Sequence, residues 1–246
     1  MVLAVLLLGG LYVFFVAPLW FLPVLEWLTP GVLFRVKTGE PLVGLSFDDG
    51  PHPQFTPQVL KILRRQGVRA SFFLIGERAA RSPELVETIR AGGHEIGNHC
   101  WKDGSILALS NEEFGRNLAE TERVLQLATG DGSASPSGDE HKAAPTRKLF
   151  RAPGGVAWPR HWKLARDRGY LGVLGCAYPH DPMRPPLWYI RWLIRKNLRP
   201  GAIVILHDGI KDASRTIAVL PSILQDGQKR GFRFVPVGEL IDAAQM

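Results

Sequence analysis

Two adjacent carboxylates, Asp48 and Asp49, follow a largely apolar run at positions 43–47 and precede Gly50 and Pro51. The run predicts a short buried strand, and the Gly-Pro pair predicts its end. Neighbouring acids repel each other, so they persist best where a metal ion or a basic partner separates their roles. Consecutive strand residues point to opposite faces, and we expect the turn to bring both carboxylates into one pocket. The alternative is a solvated turn that contains two turn-forming acids.

A second polar group follows the predicted strand at positions 93–97, where His99 and Asp103 are four residues apart. On a helical turn this spacing puts both side chains on one face. Together with Asp49 they would supply three protein ligands and leave one position open, as a catalytic zinc site requires. The alternative for any single histidine is a structural role.

Three more strand ends carry candidate chemistry. Arg151 precedes Pro153 and a glycine pair, so it is placed to orient a carboxylate, while the glycine N–H groups are open to an oxyanion. His207 ends the apolar strand predicted at 202–206 and is well placed as a general acid. Asp181 is a candidate partner that would raise the pKa of a histidine. The alternative for Arg151 is a surface residue beside an ordinary Gly-Pro turn, and the alternative for Asp181 is a turn residue before proline.

The elements that must position these groups alternate between strand and helix after Pro30. Strands are predicted at 41–47, 68–75, 93–97, 148–151, 170–175, 202–206 and 232–235, and helices at 56–66, 83–91, 110–129, 159–168, 187–198, 214–229 and 237–244. Ser82 and Ser110 are the predicted helix caps. Repeated strand–helix units predict a parallel sheet, either barrel or open. The segment 130–146 is rich in Gly, Ser, Asp and Pro and is expected to be an exposed flexible insertion.

Composition sets the class of protein. The chain has 246 residues, 46% of them hydrophobic and 22% charged, which predicts a globular protein of one large or two small domains. The formal net charge of +7 favours acidic partners. No recognition motif accompanies that charge, so we expect no nucleic-acid partner. Cys100 and Cys176 fit no metal or redox pattern and are expected to be buried free thiols.

The amino terminus is the most apolar part of the chain. No charged side chain occurs before Glu26, and a bilayer-spanning helix needs about 20 apolar residues. Residues 1–28 are therefore expected to form a transmembrane anchor, or an uncleaved signal segment, that makes the membrane a partner. Trp20, Phe21 and Trp27 suit the membrane interface.

The order of these groups resembles the polysaccharide deacetylase family, whose NodB-homology domain defines carbohydrate esterase family 4. The motifs are FDDG at 47–50, GHEIGNH at 93–99, an arginine before Pro-Gly-Gly at 151–155, and LHDG at 206–209. The resemblance implies an α/β fold, a distorted (β/α) barrel of the NodB-homology type, over residues 31–246. It also implies a single divalent metal, usually zinc, with cobalt or another divalent ion as alternatives. The implied reaction removes acetyl groups, mainly N-acetyl, from chitin-like or peptidoglycan-like polymers.

The resemblance also implies a role for each matching residue. Asp48 would be the general base and His207 the general acid, with Arg151 and Asp181 as their partners. Asp49, His99 and Asp103 would hold the metal, and the Gly154 N–H would bind the oxyanion. Two positions depart from the family pattern: most members have a histidine at the place of Asp103, and many have an aromatic residue at that of Gly154. A carboxylate is still a competent zinc ligand, but a second one makes the site less positive.

Two other function classes compete with a membrane-anchored, extracytoplasmic or lumenal deacetylase. The first is a catalytically silent, metal-containing glycan-binding domain, which the departures at Asp103 and Gly154 favour. Asp48, Arg151 and His207 would have little reason to occur together in such a protein. The second is a phosphotransferase with an Asp nucleophile, but that chemistry usually pairs the nucleophile with an Asp two residues further on.

Overall fold

The computed structural model describes residues 18–129 and 147–245, which form a curled parallel sheet surrounded by helices. The described strands are β1 (Val32–Leu33), β2 (Leu42–Gly50), β3 (Ser71–Leu74), β4 (Glu95–Asn98), β5 (Lys148–Phe150), β6 (Tyr170–Val173), β7 (Ile203–His207) and β8 (Arg233–Val235). Their order is β1-β6-β5-β4-β3-β2-β7, and β8 pairs with the first residues of β2. Every pair of these strands is parallel, so their carboxyl ends meet at one edge of the sheet.

The sheet curls far enough that its two ends approach each other. After β6 the chain continues to Cys176, whose N–H donates to the Ile203 carbonyl at 3.1 Å, and Ala177 forms a parallel bridge with Val204. Arg35, just past β1, also forms an antiparallel bridge with Ala202, just before β7. The predicted distorted (β/α) barrel is therefore confirmed, with irregular segments where a regular barrel would have strand pairs.

The described helices surround this sheet. They are α1 (Pro18–Leu28), α2 (Thr56–Arg65), α3 (Gly76–Arg81), α4 (Pro83–Ala91), α5 (Asn111–Thr129), α6 (Pro159–Asp167), α7 (Leu187–Asn197), α8 (Ser214–Lys229) and α9 (Val237–Ala243). The side chains of β2 alternate between the two faces of the sheet, one facing the helices and the other facing the barrel interior. Val43, Leu45 and Phe47 point outward into a core shared with the helices, so Ser46 and Asp48 must point into the barrel.

Most predicted elements lie within three residues of their observed bounds, because their hydrophobic periodicity is long enough to read. The capping box of α5 is present: the Ser110 N–H donates to Glu113 Oε2 at 2.8 Å and the Glu113 N–H to Ser110 Oγ at 3.2 Å. Ser82 occupies the predicted N-cap position of α4, directly before Pro83, but its side chain makes no capping hydrogen bond. The short elements β1 and α3 carry too few residues for a periodic signal.

Residues 1–17 and the predicted insertion at 130–146 lie outside the described residues. In the part of the chain that is described, none of the helices is both long and apolar enough to cross a membrane. Helix α1 packs on the domain through Leu22, which is 2% exposed in a cluster with Phe34 and Trp162. Arg35 Nε also donates to Glu26 Oε1 at 3.1 Å. The end of the predicted anchor is thereby attached to the barrel.

Candidate active site

The carboxylate of Asp48 lies inside the barrel in a buried ion pair with Arg151. Arg151 Nη1 donates to Asp48 Oδ1 at 2.5 Å, and the side chains of the arginine and the aspartate are 1% and 6% exposed. The same Nη1 donates to Ser46 Oγ at 2.8 Å, and Nε donates to the Val173 carbonyl at 3.1 Å. The guanidinium carbon is 3.9 Å from the centre of the Phe73 ring, within cation–π range. These contacts hold the Asp48 carboxylate in one orientation.

The strand register explains why these groups meet. Asp48 in β2 is aligned with His207 in β7 on one side and with Phe73 in β3 on the other. Arg151 follows β5, which is separated from β2 by two strands, so its side chain crosses the barrel interior to reach Asp48. The candidate base and the candidate acid therefore stand at the same level on neighbouring strands.

Asp49 turns back towards the same pocket. Its φ is 68°, in the left-handed region that residues other than glycine seldom adopt. The register between β2 and β3 shifts between Asp48 and Gly50. As a result the Asp49 carboxylate, which would leave the barrel in a regular strand, lies 3.3 Å from His99 Nε2 through its Oδ1 atom. Burial raises the pKa of Asp49, but His99 and the positive charges of His207 and Arg78 outweigh it and lower that pKa to about 2.

His99 presents one ring nitrogen to this carboxylate. The ring is buried, and Nδ1 lies 2.7 Å from the Arg151 carbonyl oxygen, which only accepts, so Nδ1–H is the donor. In the neutral ring this leaves a lone pair on Nε2, facing the Asp49 carboxylate. Two acceptor atoms at 3.3 Å require a shared cation between them, either a proton on the ring or a metal ion.

The spacing of these two atoms suits a metal ion. Zinc binds imidazole nitrogen and carboxylate oxygen at about 2.0–2.1 Å, so two ligands of a tetrahedral ion lie about 3.4 Å apart. Asp49 Oδ1 and His99 Nε2 are separated by 3.3 Å. The backbone carbonyl that fixes the His99 tautomer is the kind of partner that metal-binding histidines usually have. Asp49 and His99 therefore fit two protein positions of a metal centre.

Asp103 lies apart from this pair. The predicted helical turn is wrong, because residues 99–104 form an irregular loop in which Cys100 has a φ of 65°. This bend directs His99 inward and leaves the Asp103 side chain 52% exposed, with Oδ2 accepting from Arg78 Nη2 at 3.0 Å. Over residues 18–129 and 147–245, no three side chains of His, Cys, Asp or Glu form a metal-binding group. Metal binding by Asp103 stays a prediction.

The candidate acid His207 is held by Asp181. His207 Nδ1 lies 3.0 Å from Asp181 Oδ1, so Nε2 is the ring nitrogen left for a substrate. Asp181 Oδ2 accepts from the His207 N–H at 2.9 Å and from Thr216 Oγ1 at 2.7 Å. Burial lowers the pKa of His207, but the Asp181 carboxylate, with Asp48 and Asp49, outweighs it and raises that pKa to about 9. The imidazole is therefore protonated, and able to donate, at neutral pH.

Gly154 lies on an exposed turn, Pro153–Gly155, that follows Arg151. Its φ is 65°, a conformation open to glycine at no steric penalty. A Cβ atom added there would meet no atom within 4 Å, so the space that an aromatic side chain would fill is open. As an oxyanion donor Gly154 stays a prediction.

A buried carboxylate that the sequence did not single out lies beneath the site. Asp208 is fully buried; its Oδ2 accepts from the Thr56 hydroxyl at the start of α2, and its Oδ1 has no hydrogen-bond partner. The Asp208 N–H donates to the Asp48 carbonyl at 3.3 Å. Burial raises the pKa of Asp208 to about 7, although the Thr56 hydrogen bond opposes that rise. Asp208 is the third residue of the LHDG motif at 206–209, so an acid directly after His207 was the available sequence signal.

Replacing Thr56 with Val tests this contact. Valine keeps the shape of threonine but leaves the buried Asp208 carboxyl without its hydroxyl partner. We expect the free energy of unfolding to fall by about 1–3 kcal/mol, the usual effect of leaving a buried polar group unsatisfied. Thr88→Val in α4 is the matched control, since that hydroxyl is on the surface and donates to a local helix carbonyl. Equal stability of the two variants in urea unfolding would contradict the role given to Thr56.

The geometry of the candidate site agrees with the known proteins that this chain resembles. A family model described as polysaccharide deacetylase matches residues 35–173, more than half of the chain. A peptidoglycan-N-acetylglucosamine deacetylase of Bacillus cereus is 36% identical over 212 residues, which cover 85% of this chain and 92% of the relative.

Two solved structures show the same fold. The Bc1960 peptidoglycan N-acetylglucosamine deacetylase superposes with a TM-score of 0.78 at 25% identity, covering 88% of this chain and 96% of that one. The wild-type CE4 family pseudoenzyme BA3943 of Bacillus anthracis superposes with a TM-score of 0.75 at 25% identity, covering 89% and 72%. The barrel is thus shared by a protein described as an enzyme and by one described as a pseudoenzyme.

Proposed function

Because the chain belongs to the polysaccharide deacetylase family, we propose that it hydrolyses N-acetyl groups of a chitin-like or peptidoglycan-like glycan with the help of one metal ion. Membership makes it a carbohydrate deacetylase, a hydrolase of carbon–nitrogen bonds other than peptide bonds. The observation that carries the proposal is the alignment of Asp48 with His207 on neighbouring strands. Each has its own buried partner of opposite charge, Arg151 for the base and Asp181 for the acid.

Asp49 and His99 would hold the metal, most simply zinc, with cobalt or another divalent ion as alternatives. A bound ion of this kind polarises an amide carbonyl and lowers the pKa of a water towards about 7. The Arg151 carbonyl keeps the His99 ring in the tautomer that leaves Nε2 open to the ion. Arg151 therefore serves both halves of the site, its backbone orienting His99 and its side chain orienting Asp48.

Asp48 is the proposed general base. Its carboxylate accepts a proton from the water whose oxygen attacks the acetamide carbonyl carbon. Arg151 holds Oδ1 at 2.5 Å, which leaves Oδ2 as the atom that takes the proton. The Gly154 N–H is the proposed donor to the oxygen that becomes negative in this step.

His207 is the proposed general acid. Its Nε2 donates a proton to the sugar nitrogen as the carbon–nitrogen bond breaks, and the products are acetate and a free amine. Asp181 stabilises the imidazolium before the transfer and keeps Nε2 pointed away from itself. His207 thus donates one proton and Asp48 accepts a different one. The two groups lie on adjacent strands and do not compete for the same proton.

The proposal includes the place of action. Residues 1–28 would attach the protein to a membrane, with the barrel on the extracytoplasmic or lumenal side, where polymers of this class are found. The support is the absence of charged side chains before Glu26.

The test is acetate release by the full-length protein from chitin oligosaccharides and from peptidoglycan. We expect release by the wild type and none above background by Asp49→Ala, which removes a metal position while leaving the Asp48–Arg151 pair intact. Glu112→Ala is the matched control, since that carboxylate is on the surface of α5 and 82% exposed. Equal acetate release by wild type and Asp49→Ala would contradict the site.

A silent glycan-binding domain is the second candidate function. It is favoured by the pairing of Asp103 with Arg78 away from Asp49 and His99. It predicts binding of chitin oligosaccharides, measured by calorimetry, with no acetate released from any acetylated glycan in the presence of zinc or cobalt.

A further inference from the structure

Arg78 lies outside the proposed catalytic set, but it connects chain segments that carry members of that set. Arg78, in the short helix α3, directs Nη1 to two backbone carbonyls, that of Asp49 at 2.5 Å and that of Gly209 at 2.6 Å. Its other terminal nitrogen, Nη2, donates to Asp103 Oδ2 at 3.0 Å. One guanidinium thereby bridges the last residues of β2 and the loops that follow β7 and β4.

The two carbonyls belong to opposite halves of the site. Asp49 carries a proposed metal-binding carboxylate, and Gly209 lies two residues after His207. The end of β2 and the loop after β7 are in direct contact, since a Cβ atom on Gly209 would lie 1.8 Å from the Asp49 carbonyl oxygen. Two carbonyl oxygens that converge on one point repel each other unless a donor lies between them. A charged donor such as Arg78 Nη1 makes the stronger kind of hydrogen bond to each.

Asp103 is the third member of this arrangement. Its carboxylate lies on the solvent side of the guanidinium, with the Asp103 and Arg78 side chains 52% and 23% exposed. It supplies the negative charge that balances Arg78 and fixes the rotation of the guanidinium plane. With Oδ2 engaged by Arg78, Asp103 has a structural role that does not depend on a metal.

We propose that Arg78 is a positioning residue that sets the distance between the metal-binding Asp49 and the acid His207, and that Asp103 orients Arg78 instead of binding the metal. The inference rests on the proposed function. It accounts for a carboxylate where most family members have a histidine, because a carboxylate pairs with arginine and an imidazole does not. Lysine is a poor replacement for Arg78, since one ammonium lacks the planar fork that reaches carbonyls and a carboxylate together.

The experiment is a double-mutant cycle on the full-length protein with Arg78→Met, Asp103→Ala and the combined variant. Zinc affinity is measured by calorimetry on metal-free protein, and kcat and KM by acetate release. We expect Arg78→Met to lower zinc affinity or kcat by about 10–100-fold, the usual effect of losing a group that orients a metal ligand. Asp103→Ala should have a smaller effect in the same direction, and it should have none when Arg78 is already Met.

Arg81→Met is the matched control, since Arg81 lies on the same helix and its side chain is 69% exposed. Its ion pair is a surface contact with Glu77, at 3.6 Å one turn earlier in α3. It should leave zinc affinity, kcat and KM unchanged. Arg78→Lys replaces Arg78→Met if the latter does not fold, and it should fall between wild type and Arg78→Met.

Two results would overturn the inference. The first is that Asp103→Ala lowers zinc affinity by the same factor in the Arg78→Met background as in the wild-type background. A metal ligand would behave in this way. The second is an Arg78→Met protein indistinguishable from Arg81→Met. Failure of the wild type to release acetate would instead overturn the proposed function, and the calorimetric cycle would still decide whether Arg78 and Asp103 act as one unit.

Discussion

Replacing Asp48 with Asn is expected to lower the rate of acetate release by about 10²–10⁴-fold, the usual contribution of a general base. The change is also expected to reduce stability. Arg151 is 1% exposed and Asp48 is its only carboxylate partner among the described residues, so the variant leaves a buried cation without its anion. Breaking one side of a buried ion pair typically lowers the free energy of unfolding by about 3–5 kcal/mol. Urea unfolding and acetate release measure the two effects separately.

The double variant Asp48→Asn with Arg151→Met separates the two roles of the pair. Removing the cation as well should recover part of the lost stability, because replacement of a whole buried pair by apolar groups is often neutral. It should recover none of the activity. An Asp48→Asn protein with near wild-type turnover would show that another group accepts the proton.

Replacing Asp181 with Asn is expected to move the alkaline limb of the pH–activity profile to lower pH. In the wild type, the proposed acid His207 has to be protonated to act, and its pKa is raised to about 9, so activity should decline as pH rises through that value. In Asp181→Asn the burial of His207 still lowers its pKa while the main opposing charge is gone. The imidazole should then be largely neutral at pH 8, with kcat/KM reduced roughly tenfold or more.

The same pair makes stability depend on pH in a defined direction. The pKa of His207 is higher in the folded protein, about 9, than its ordinary value of 6.5. Its contribution to stability is therefore complete below about pH 6.5 and is lost as pH rises through about 9. Asp181→Asn should remove most of this dependence. An unchanged alkaline limb in that variant, or an unchanged stability profile between pH 6 and 9, would contradict the assignment of Asp181 to His207.

The positions of the site residues along the fold were largely predictable. A parallel sheet brings the carboxyl ends of its strands to one edge, so polar residues after apolar runs were expected to converge. Asp48, Arg151 and His207 do converge, and Asp181 joins them through a turn. The resemblance to a known family then supplied roles that residue types and spacing alone left open.

The parts that were not predictable depend on single backbone angles and on long side chains. The bend at Cys100 separates His99 from Asp103, and no spacing rule signals a left-handed residue at a cysteine. The turn of Asp49 into the pocket likewise depends on a left-handed backbone angle at a residue other than glycine. Arg78 comes from a six-residue helix with no periodic signal, and it reaches carbonyls that only the folded chain brings together.

The most direct test of metal-dependent deacetylation is acetate release by the full-length protein from chitin oligosaccharides before chelation, after chelation, and after zinc or cobalt is restored. We expect activity that disappears on chelation and returns with the metal in the wild type but not in Asp49→Ala. Activity that is unaffected by complete removal of metal would contradict this expectation. So would a wild-type protein that binds zinc tightly but releases no acetate from any acetylated glycan.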